Sequence, residues 1–114
     1  MNDIRINIFE QIGGNAAVST EDGESLYKRI VKALEQKARV ILDFNNIELL
    51  TSTFLNSAIG QLYSRFKSPY LKAHLKLENL KKEDLELLKK VVERAKEYFK
   101  DKGRIVNGAK EVLG

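Results

Sequence analysis

The sequence predicts an α/β domain, a mixed sheet packed by helices in the order β-β-α-β-α-β-α. Three observations carry this. Arg39-Val40-Ile41-Leu42-Asp43-Phe44 is short, β-branched and almost continuously apolar, the mark of a central strand covered on both faces. Ile4, Ile6 and Ile8 alternate with Arg5, Asn7 and Phe9, the two-residue period of a strand with one buried face. Leu85, Leu88, Val91, Val92, Ala95, Tyr98 and Phe99 recur every three or four residues among Lys, Glu and Arg, an amphipathic helical stripe. Strands alternating with helices imply parallel neighbours, because each crossover helix lies on a sheet face.

The elements follow in chain order. After the first strand, Gly13-Gly14-Asn15 supplies turn chemistry, and Ala16-Ala17-Val18 reads as the returning strand of a hairpin. Ser19 to Glu24 is rich in hydroxyls and acids, which favour a helix N-terminus. Leu26, Ile30, Ala33 and Leu34 then place the first helix at about residues 22–36. Asn45-Asn46 breaks the central strand. A second helix begins at Thr51-Ser52-Thr53, with Phe54, Leu55, Ala58, Ile59, Leu62 and Phe66 on one stripe, and Pro69 marks its end. Leu71, Ala73, Leu75 and Leu77 alternate with Lys72, His74, Lys76 and Glu78, as expected of a strand at or near an edge. Gly103 closes the last helix. The reading gives one domain over residues 1–102 and a flexible tail over 103–114.

Composition narrows the function. A chain of 114 residues without cysteine has no disulfide, thiol nucleophile or cysteine-based zinc site, and the cytoplasm is the default location. No signal peptide opens the sequence and no apolar run is long enough for a membrane span. Residues 1–66 carry seven Lys/Arg against eight Asp/Glu, whereas residues 67–114 carry thirteen against eight. The basic surplus therefore sits in the C-terminal half. Its signs are interleaved, which favours a solvated helix face, and basic patch and aromatic platform do not coincide along the chain.

Catalytic constellations are missing. His74 is the single histidine, and no Gly-x-Ser-x-Gly elbow accompanies any serine. Gly13-Gly14 precedes a strand and lacks the Lys-Ser/Thr of a phosphate loop, so a turn explains it. Glu21/Asp22 and Glu83/Asp84 stand where helices begin and oppose the macrodipole. No cofactor, metal site or enzymatic activity is expected. Asp43 has two readings: the carboxyl end of a parallel strand often faces a functional crevice, while a carboxylate there also fixes a turn through Asn45 and Asn46. The Thr51-Ser52-Thr53 cluster offers three hydroxyls where one cap is needed, which leaves a candidate for phosphorylation.

The stretch Val40-Ile41-Leu42-Asp43-Phe44-Asn45-Asn46-Ile47, followed by Thr51-Ser52-Thr53-Phe54-Leu55-Asn56-Ser57-Ala58-Ile59-Gly60, resembles the signature of a STAS-like domain family of unknown function (DUF4325-type). Val18-Ser19-Thr20-Glu21-Asp22-Gly23 and the helix near Glu83-Asp84-Leu85 extend the likeness over residues 4–100. The family is distantly similar to anti-anti-sigma factors. That resemblance implies a small sheet packed by helices and a regulatory module that binds a histidine-kinase-like ATPase, the anti-sigma-type kinase. It also places Ser52 on the phospho-acceptor serine, with Thr51 where the aspartate stands and Phe54 where the glycine stands.

Two functions are therefore expected to compete. One is a non-catalytic protein-interaction module docking through loop 44–51 and the exposed side of the second helix, with Asp43, Asn45, Asn46, Asn56, Gln61 and Tyr63 on the surface. The other is a nucleic-acid accessory domain using Lys81, Lys82, Lys89, Lys90, Arg94 and Lys96.

Overall fold

Strand β1 (Asp3–Asn7) stops where Asn7 turns its side chain onto the segment ahead. The Asn7 side-chain Oδ1 accepts the Glu10 N–H at 2.9 Å and so caps a short helix, α1 (Ile8–Ile12). Gly13 ends α1 at φ 77° with its N–H on the Phe9 carbonyl at 2.9 Å. Gly13-Gly14 is therefore a helix exit, and the expected hairpin does not form. Strand β2 (Ala16–Ala17) instead joins a separate two-stranded sheet. Ser19 caps α2 (Thr20–Glu35) by accepting the Asp22 N–H at 3.1 Å.

After β3 (Arg39–Asp43), the loop closes through β4 (Leu49–Leu50), which runs parallel to β2 with Ala16 opposite Leu49 and Ala17 opposite Leu50. Helix α3 (Ser52–Ala58) tightens into a 3-10 helix (Gly60–Ser64). Pro69 then lies in the first turn of a further helix, α4 (Ser68–His74), where its missing N–H costs nothing. The proline opens a helix after the expected stop, and only Leu75–Glu78 of the predicted strand is extended, as β5. His74 accordingly ends a helix, its ring stacked on Tyr70 at 4.0 Å with Nδ1–H donating to the Tyr70 carbonyl at 2.9 Å.

The chain ends in α5 (Lys82–Leu113), which runs past Gly103. The computed structural model describes residues 2–113, with side chains described for residues 2–100. The flexible tail expected over 103–114 concerns side chains outside the described residues.

The larger sheet has the order β1-β3-β5, and both sheets are parallel throughout, where a mixed sheet was expected. Register places Ile4, Val40 and Leu75 in one row and Ile6, Leu42 and Leu77 in the next, all on one face because side chains alternate along a strand. Ile6, Val40 and Leu42 are fully buried in one core with Leu26, Ile30 and Leu34 of α2, Phe54 and Leu55 of α3, and Val91 of α5. Each such aliphatic side chain contributes about 1.5–3 kcal/mol by leaving water.

The opposite face carries Arg5, Ile41 and Lys76 in register. Arg5 and Lys76 are exposed and Ile41 is half-buried. The central strand is thus sealed on one face and largely open on the other, contrary to the two-sided cover predicted.

Candidate functional site

Asp43 sits at the carboxyl end of the central strand, 8% exposed. Its Oδ1 accepts the Asn45 N–H at 2.9 Å and the Asn79 side-chain amide at 2.7 Å, and Arg5 approaches Oδ2 at 3.4 Å. Arg5 also pairs with Glu78, which lies beside Asp43 in register. The Asn79 amide, then the Asn45 N–H and Arg5, hold the Asp43 carboxyl below the ordinary carboxylate range against the opposing effect of burial. These contacts fasten the central strand to β1, to the end of β5 and to the loop, the turn-fixing role. It lies beneath the surface formed by its neighbours Asn45 and Asn46, which are exposed, with Asn46 at φ 67°.

Loop 44–51 is held from below. Phe44, Ile47 and Leu50 are buried, and the Glu48 N–H donates to the Asn15 carbonyl at 2.9 Å. This leaves Leu49 standing out, 57% exposed.

The three hydroxyls at the start of α3 separate cleanly. Thr51 is the cap: its Oγ1 accepts the Phe54 N–H at 3.2 Å and donates to the Val18 carbonyl at 2.9 Å, tying α3 to the chain before α2. Ser52 is half-buried, and its hydroxyl bonds no other group among the described residues. Thr53 is exposed. Ser57, one turn on, is buried and donates back to the Thr53 and Phe54 carbonyls at 3.2 and 3.1 Å.

A groove of about 500 Å³ runs between α2 and α3, with Thr53, Asn56 and Gln61 on one wall and Thr20, Glu24, Tyr27 and Lys28 on the other. Gly23 sets its width. A methyl group there would lie 1.8 Å from the Ser57 hydroxyl and 2.8 Å from the Phe54 carbonyl oxygen, so the helices approach at a distance only glycine allows. The α2 wall escaped the sequence reading because periodicity shows that a helix has a buried face, not which neighbour flanks it. A glycine inside a helical pattern was the available signal.

Tyr63 falls elsewhere. It is half-buried, burial pushes its phenol up, and the Lys96 ammonium lies 5.9 Å from its ring centroid. Both line a depression of about 480 Å³ between the 3-10 helix and α5. A third hollow, of about 330 Å³, shares Asn56 and Gln61 with the α2–α3 groove and Phe99 with the depression around Tyr63. Basic and aromatic residues, apart along the chain, therefore meet in space.

Of the cations predicted to bind nucleic acid, Arg94 lines the third hollow and Lys96 the Tyr63 depression. Lys81, Lys82, Lys89 and Lys90 are exposed among Glu83, Glu86 and Glu93. Among the described residues no three His, Cys, Asp or Glu gather as a metal site, and no helix is long and apolar enough to cross a membrane.

Fold and surface together define a small α/β domain with parallel sheets and a polar groove beside an uncommitted serine. A family model described as a STAS-like domain of unknown function (DUF4325) matches residues 22–85, more than half of the chain, and the chain belongs to that family. The match runs from the first turn of α2 to the start of α5 and so contains Ser52 and all of the groove's lining but Thr20. No curated protein and no solved structure matches the chain.

Proposed function

We propose that the protein is a non-catalytic regulatory module of the cytoplasm that docks another protein through the rim formed by Asn45, Asn46 and Leu49 and by Ser52, Thr53, Asn56 and Gln61. One observation supports this above the rest. Thr51 alone satisfies the α3 cap, so Ser52, three residues along the chain from the exposed Leu49, keeps a hydroxyl that bonds no other group among the described residues. A phosphate on that hydroxyl adds about −1.5 to −2 charge at the rim of an otherwise neutral contact and weakens docking. The resemblance to anti-anti-sigma factors points to a histidine-kinase-like ATPase as both partner and kinase.

The test compares wild type with Ser52→Asp as baits in the native host. A partner held by wild type and released by the variant, with circular dichroism unchanged, supports the reading. Identical retention by two folded baits refutes the switch.

A further inference from the structure

The depression around Tyr63 has a chemistry that the docking rim lacks. Tyr63, Phe66 and Phe99 form its walls, and Lys67, Lys96 and Lys100 stand about them; among the described residues no carboxylate lines it. Arg65, also at its edge, is held by Glu35 at 3.0 Å, but Lys67 and Lys100 have no ion-pair partner among the described residues. Such a concentration of unopposed cations around apolar walls selects a ligand that is both anionic and apolar.

The rings decide which kind. Base stacking needs an open ring face, and each of these rings already carries a cation or ring contact. Lys96 lies over Tyr63, Tyr70 stacks on Phe66 at 5.5 Å, and Phe99 meets Tyr98 edge-on at 4.9 Å. Rings so occupied favour an inserted leucine or phenylalanine side chain over stacked bases. Its α5 wall, Lys96 to Lys100, lies beyond the stretch shared with the family, residues 22–85.

We infer that this depression is a second docking site, taking a short acidic segment of a partner protein that buries one apolar side chain among the rings and sets its carboxylates against the lysines. It stands whether or not Ser52 is a switch.

A random dodecapeptide display library, selected against the full chain, tests it. Enrichment of acidic peptides with a single aromatic or leucine anchor is expected. Their affinity should fall about tenfold or more in Lys67→Glu/Lys96→Glu. It should hold in Lys82→Glu/Lys89→Glu, on the mixed-charge stretch of α5, and in Ser52→Asp. All variants should melt like wild type. No enrichment, enrichment without acidic character, or affinity indifferent to the Lys67/Lys96 reversal overturns the inference. So does oligothymidylate that binds the same depression more tightly than the selected peptides.

Discussion

Replacing Gly23 by alanine tests the helix contact on which the groove is built. The added methyl group meets the Ser57 hydroxyl at 1.8 Å and the Phe54 carbonyl oxygen at 2.8 Å, both inside the distance at which atoms coexist. Ser57 must rotate away from the carbonyls of Thr53 and Phe54, at a cost of about 1 kcal/mol in hydrogen bonding. The Phe54 oxygen belongs to the backbone and yields only if α3 moves, and overpacking of this kind costs about 1–3 kcal/mol. Alanine's better helix propensity returns at most about 1 kcal/mol.

The net loss is about 1–3 kcal/mol, or roughly 4 °C in Tm for each kcal/mol in a domain of this size. Thermal and urea denaturation followed by circular dichroism measure it. Adding Ser57→Ala removes the hydroxyl clash but not the backbone one, so the double variant recovers only part of the loss. A Gly23→Ala protein as stable as wild type refutes the close contact, and full recovery in the double variant refutes the backbone share of it.

Further outcomes follow from the same geometry. Thr51→Ala loses both the cap and the tie to Val18 and costs about 1–2 kcal/mol, whereas Ser52→Ala stays within about 0.5 kcal/mol; denaturant midpoints for the pair check the division of labour. Because the Asp43 carboxyl is held below its unfolded value, its stabilisation is present above about pH 3.9 and lost as pH falls through the lower folded value. Asp43→Asn is therefore less stable than wild type near neutrality, and the gap narrows in acid, as a pH series of urea midpoints will show.

The sequence made the long, strongly patterned elements legible: α2, β3 and most of α5 follow from apolar spacing alone. It misled where an element was too short to show a period. Ile4, Ile6 and Ile8 keep strand alternation although the strand ends at Asn7, and the five residues of α1 complete barely more than one turn. The cap signals were nonetheless written there, Asn7 before the helix and Gly13 after it. Pro69 misled in the opposite sense, since proline suits the first turn of a helix as well as the residues after one. The hydroxyl cluster could be located from the chain, but which of the three was spent on the cap depended on Val18, thirty-three residues away, beyond the reach of local pattern. The basic–aromatic depression was hidden for the same reason: its two walls are about thirty residues apart in sequence.

The claim that the rim beside α3 receives another protein is tested most directly by quantitative pull-down with wild type and with Leu49→Asp/Asn56→Arg, two changes at exposed positions that leave the core and the Thr51 cap intact. Proteins retained by wild type and lost from the variant, at equal thermal stability, are the predicted result. The same set of proteins on both baits contradicts it.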